Sequence, residues 1–282
     1  MNTNSSSPQA PLLTIKPSKG WVALNLKEIV QFKDLLFVLA LRDIKLRYRQ
    51  TALGPIWILL QPLLAAGVFT FIFSGIAKLT APGNVPYFMF SFSGQLGWNL
   101  FASTVAKVGG SLTSSTHLVS KVYFPRLILP LSTIISVLVD FCAASLIMIA
   151  MMVILRHWGG AALLTLPLWI LLLLMLATGI GLMTTAMTVS FRDVSTVVTV
   201  LMSFLMYISP VGYAYKDVPA RLKFAYNLNP VAGLIEGFRW SLLGTGKPTS
   251  AHVIYAVTVV IAVFIAGLFT FKRMERSFAD VI

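Results

Sequence analysis

Six apolar stretches run through the chain, at about residues 54–77, 84–106, 127–154, 161–190, 197–215 and 251–271. Each is close to or above the roughly 20 residues that a helix needs to cross a hydrocarbon layer about 30 Å thick. Lipid offers a backbone amide no hydrogen-bond partner, so stretches of this kind satisfy their amides internally, as helices. The reading is an all-α integral membrane protein with six transmembrane helices. Composition agrees, because 57% hydrophobic residues, 11% charged residues and a mean hydropathy of +0.84 lie outside the range of soluble domains. The single cysteine, Cys142, falls inside the third stretch, which excludes an intrachain disulfide and says nothing firm about redox compartment. Residues 1–24 hold no apolar run and read as a disordered cytoplasmic tail rather than a cleaved signal. The membrane domain covers 25–276, with 277–282 as a short cytoplasmic tail.

Orientation follows from the cations. With the N-terminus inside, the cytoplasmic side holds 15 of the 22 Lys and Arg, among them Lys16, Lys19, Lys107, Arg126, Arg192 and Lys272. The positive-inside rule then places both termini in the cytoplasm and the segment from Lys216 to Lys247 outside. A net charge of +13 on such a chain suits anionic lipid headgroups. No aromatic-basic pattern for nucleic acid accompanies it.

Ahead of the first span, Lys27, Gln31, Asp34, Arg42, Lys45 and Arg49 recur at helical spacing, with Phe32, Leu36 and Leu39 toward the opposite face. An amphipathic helix of this type lies in the membrane surface. It serves either as a lipid anchor or as a lever touching a cytoplasmic partner. The connection KVGGSLTSSTHLVSKVYFPRLILPL carries a short helical stretch, His117 to Tyr123, that ends before Pro125. By shape it fits a groove on another protein, or else forms a plain interfacial loop. Outside, Asn229-Pro230 reads as an N-cap with proline in the first turn, followed by VAGLIEGFRWSLL and a stop at Gly244. Glu236 and Arg239 sit three apart, the spacing of a helical ion pair. This segment is expected to form short external helices that dip into the membrane or lie on it, either as a lid or as an aromatic belt around Trp240.

Within the spans the polar residues carry the information, since hydrocarbon penalises them. Ser91, Gln95 and Trp98 or Asn99 share one face of the second span. That face either meets a neighbouring helix or lines a watery path in which Tyr87, Phe88, Trp98 and Phe101 offer flat surfaces to sugar rings. Pro62 bends the first span, and the amide of Gln61 beside it would meet the same path. Asp140, the one acid within a span, is expected to pair with a Ser, Thr or Tyr. No metal-ligand spacing, carboxylate pair or Ser/His/Asp set supports an enzyme. GTGKPTS at 244–250 is not a phosphate-binding loop: it lacks the first glycine at the required spacing and has proline after Lys247.

The run RDIKLRYRQTALGPIWILLQP, the cytoplasmic LVSKVYFPRLILPL, FRDV after span four, SPVGYAY ending span five and YNLNPVAGLIEGFRWSLLG before span six occur here in one order. In that combination the chain resembles the permease subunits of ABC-2 type exporters, and among them the polysaccharide group that exports O-antigen, capsule or teichoic acid. The likeness spans about residues 25–276. It implies a multi-pass protein of the bacterial inner membrane, a homodimer bound to two separate ATPase subunits, and a lipid-linked glycan as cargo. No cofactor is expected in this chain; ATP and Mg belong to the partner. The resemblance makes His117, Lys121 and Tyr123 the coupling helix and places Arg42, Lys45 and Arg49 on the interface helix. Pro230, Glu236, Arg239 and Trp240 would belong to an external re-entrant gate, and Tyr87, Phe88, Trp98 and Phe101 to an aromatic path shared with Ser91, Gln95 and Gln61. The competing readings are an ion- or proton-coupled carrier without an ATPase and a membrane enzyme handling lipid-linked sugars.

Overall fold

A computed structural model of the chain describes residues 30–48, 54, 56–121, 124–191 and 193–275, and the regular structure among them is entirely helical. The tails, Arg49, Tyr123 and Arg192 lie outside the described residues. Helix α1 (Lys33–Tyr48) precedes the first long helix. Leu39 and Ala40 are buried, and Phe32, Leu35 and Leu36 join Leu39 in a cluster with Leu127, Ile128 and Phe271. Phe37, Val38, Leu41 and Leu46 are exposed. The helix thus has apolar side chains on two faces, one against the bundle and one outward, where the sequence pattern suggests a single apolar face.

Helix α2 (Ile56–Phe69) continues as wider π-helical turns over Thr70–Ile76. Helix α3 (Tyr87–Gly109) follows, then the six-residue α4 (Thr116–Lys121), α5 (Ile128–Ile154), α6 (Leu166–Ser190) and α7 (Val194–Ile208). The chain closes with α8 (Lys223–Leu228), α9 (Pro230–Leu243) and α10 (Ser250–Met274). Among the described residues four helical segments are long and apolar enough to cross a membrane: Ile56–Ile76, Ile128–Ile154, Gly160–Ser190 and Ser250–Met274.

The other two expected spans differ for physical reasons. Helix α3 has the length but is rich in Ser, Gly, Gln and Asn, and 16 of its 23 residues are buried against α2, α5, α6 and α9. It is the central helix, surrounded by protein rather than lipid, which is how it tolerates those polar groups. Helix α7 stops at Ile208, short of the expected residue 215, because Pro210 disfavours the helical conformation at Ser209, whose ψ is 150°. Its 15 residues rise roughly 22 Å. The chain then turns inward through Ser209, Val211 and Gly212, all buried.

Small residues let the helices close on one another. A Cβ at Gly267 of α10 would strike the Gly179 carbonyl of α6, and one at Gly94 of α3 would strike the Val211 carbonyl and the Arg239 guanidinium. Helix α9 uses the same device, with Gly237 against the Trp169 ring, and 11 of its 14 residues are buried. It therefore inserts into one end of the bundle instead of lying on it. The opposite end carries α1, α4, the start of α5 and the end of α10, tied by Arg126 Nη1 donating to the Glu275 carbonyl at 2.6 Å.

Candidate transport path and gates

A groove of ≈ 230 Å³ opens between α2, α3 and α5. Gln61 and Pro62 supply one wall, Asn99, Ser103 and Lys107 a second, and Asp140 the third. Pro62 has no N–H to give the Ile58 carbonyl, so that wall of α2 keeps an under-bonded acceptor beside the exposed Gln61 amide. Gln95 Nε2 donates to Asn99 Oδ1 at 3.1 Å. Lys107 Nζ donates to Asp140 Oδ2 at 2.9 Å, with the two side chains only 23% and 19% exposed. This corrects two expectations. Asp140 pairs with a lysine, a partner not expected from the sequence, and Lys107 sits in the last turn of α3 instead of in a loop. Asp140 lies 12 residues into α5, roughly 18 Å along its axis, so the ion pair ties the end of α3 to the middle of α5.

The aromatic residues proposed for the path sit elsewhere. Trp98 is 4% exposed and Phe101 fully buried, their rings 5.6 Å apart in the main core cluster, and neither lines the groove. Phe88 stacks on Phe92 with 6.4 Å between ring centroids, and Tyr87 Oη donates to the Gly212 carbonyl at 2.6 Å. Ser91 and Gln95 are buried too, with Ser91 Oγ and Gln95 Oε1 lacking a partner. Of the expected path residues, the structure brings only Gln61 to the groove.

At the α9 end, the sequence signals for the helix ends hold. Asn229 Oδ1 accepts from the Val231 N–H at 3.0 Å, Pro230 starts the helix, and Gly244 closes it at φ 70°. Glu236 and Arg239, spaced for an ion pair, do not form one. Arg239 donates to the carbonyls of Pro210, Val211 (2.9 Å) and Tyr213 (3.4 Å), with its guanidinium carbon 4.0 Å from the centre of the Phe90 ring. It clamps the turn that ends α7. Glu236 instead accepts from Tyr226 Oη at 2.9 Å, and burial pushes its carboxyl above the ordinary range despite that bond and the nearby guanidinium. Trp240 is half-buried beneath Lys247 Nζ, 5.9 Å from the ring.

At the other end, Arg42 donates to Asp43 at 3.1 Å and to Ser115 Oγ at 3.4 Å, one residue before α4. Helix α1 is thus joined to the base of the short helix that begins at Thr116. His117 and Lys45 are exposed, and Lys121 ends α4.

With this architecture in place, comparison with known families is decisive: residues 34–243 match the family described as ABC-2 type transporter. The chain belongs to the ABC-2 type transporter family. It is a multi-pass membrane transporter subunit, and membership implies an ATPase partner. Three relatives, two of them from Klebsiella pneumoniae, bear the name O-antigen export system permease protein RfbA. One of the Klebsiella pneumoniae proteins is 26% identical over 257 residues, covering 88% of this chain and 95% of the relative. That of Myxococcus xanthus is 26% identical over 259 residues, covering 91% and 98%. The polysialic acid transport protein KpsM of Escherichia coli is 22% identical over 244 residues, covering 85% and 93%. Against this family background the residues missed by sequence reasoning are Lys107 and Ser103. Lys107 lies eight residues beyond Asn99, a spacing that places both on one helical face, and that periodicity was the available signal.

Proposed function

We propose that this permease moves a lipid-linked polysaccharide such as O-antigen from the cytoplasmic side across the bacterial inner membrane, driven by ATP hydrolysis on a separate subunit. The near end-to-end match to two O-antigen export permeases carries the reading. In the working assembly two copies of the chain pair with two ATPase subunits, both termini face the cytoplasm, and six helices span the bilayer. The end that holds α1 and α4 meets the ATPase, with Arg42 as the link between them. The groove of Gln61, Asn99, Ser103 and Lys107 gives hydroxyl-rich cargo both donors and acceptors. The α9 end is the external gate.

Affinity purification of the tagged chain under mild detergent tests the assembly. The expected result is stoichiometric recovery of an ATPase subunit and two copies of the chain per complex. Export that continues after the ATPase is inactivated, but collapses when the proton gradient is discharged, would transfer the chain to the ion-coupled reading.

A further inference from the structure

At the α9 end a chamber of ≈ 690 Å³ lies between α9, the loop that follows it and the start of α10. That volume is within the range of about 300–1,000 Å³ typical of ligand pockets. Its base holds Arg239, 4% exposed, whose Nε is buried without a partner while both terminal nitrogens are engaged by carbonyls of the turn after α7. Thr245 Oγ1, in the same wall, is buried and unpartnered as well. A buried donor left unbonded on a charged group is costly, and native proteins rarely leave one so. Glu236 beside it has Oε1 bonded to Tyr226, and among the described residues no bond to Oε2 is seen. Tyr215 and Tyr255 add flat apolar surface, and the exposed Lys216 and Lys247 stand at the rim. Among the described residues, the lining carries the cations Lys216, Arg239 and Lys247 and the carboxylate of Glu236.

We propose that this chamber is a binding site for an anionic, hydroxyl-rich glycan segment, with Glu236 accepting from sugar hydroxyls, Arg239 Nε and Thr245 bonding at the base, and Lys216 and Lys247 holding the negative charge. The proposal rests on the reading of the chain as a glycan exporter and places a holding point at the exit. Aromatic rings meet the C–H faces of the sugar, while the Glu236 carboxylate and the unbonded donors meet its polar edge. Because Arg239 also clamps the turn that ends α7, a ligand on Nε shares a guanidinium with that turn. Occupation of the chamber and the position of the α7 end are thereby linked.

The test uses the permease with its ATPase in phosphatidylcholine nanodiscs and isothermal titration with three probes: digalacturonate, maltose and inorganic phosphate. Digalacturonate is expected to bind saturably and about tenfold more tightly than maltose, the gain of one charge-assisted hydrogen bond. Phosphate at equal concentration should compete poorly. The double variant Lys216→Ala/Lys247→Ala, changed only at exposed positions, should lose the preference for the acidic sugar and keep the maltose affinity. Equal affinities for the two sugars, phosphate competing as well as digalacturonate, or an unaltered double variant would each overturn the site. Loss of digalacturonate binding in phosphatidylglycerol discs would assign the chamber to a lipid headgroup and overturn it too. A chamber that binds none of the probes in a complex that still exports glycan refutes the site and leaves the exporter reading standing. Binding in a complex that exports no glycan does the reverse.

Discussion

Lys107 and Asp140 place two charges between α3 and α5, in contact at 2.9 Å. Each side chain retains about a fifth of its exposure, so the pair lies between the surface and fully buried limits. Removing one partner is expected to cost about 1–3 kcal/mol, since the remaining charge keeps some solvent. Lys107→Met should therefore lower the melting temperature of the purified complex. The exchange Lys107→Asp/Asp140→Lys should recover most of the loss, and a swap no more stable than the single variant would show that packing, not charge pairing, sets the effect. Trp98 belongs to the core. Trp98→Ala is expected to cost about 3–5 kcal/mol, as for other large core aromatics, and Trp98→Phe much less. Thermal denaturation of the two variants checks this, and an alanine variant with native stability but lost export would return Trp98 to the path.

Among the elements, α1 is tied by the Arg42 hydrogen bond to Ser115, one residue before α4. If α4 docks on the ATPase, Lys121→Glu should separate ATP hydrolysis from export while leaving membrane insertion and expression intact. Arg42→Ala should weaken that coupling without abolishing assembly. Measurements of ATPase rate and surface glycan on the same membranes distinguish these outcomes, and normal export in both variants would remove α4 from coupling. The elements differ in how readable they were. The long helices and the ends of α9 follow from apolar length, the Asn-Pro start and the Gly244 stop, all local signals. The burial of Ser91 and Gln95 did not, because a face with such residues at helical spacing looks the same whether it meets water or another helix. Glu236 and Arg239 do not pair with each other for a related reason. Sequence spacing records which side chains can meet on one helix, and the carbonyls of residues 210–213 that capture Arg239 come from another part of the chain.

At the scale of the whole molecule, the proposed assembly gives the two ends of the bundle different jobs, one facing the ATPase and one releasing cargo. With Cys142→Ser as background, single cysteines at Lys121 and Lys247 should react with an impermeant maleimide from opposite sides, position 121 from the cytoplasm only. Labelling of position 121 from outside would reverse the assignment of both ends. The most direct measurement follows the glycan itself. In cells lacking this chain, the polysaccharide should accumulate inside, lipid-linked, and the surface should be bare. Re-expression should restore surface glycan only with a catalytically intact ATPase partner. Surface polysaccharide that is unchanged without the chain, or restored alongside an inactive ATPase, would contradict the assignment of this permease to ATP-driven polysaccharide export.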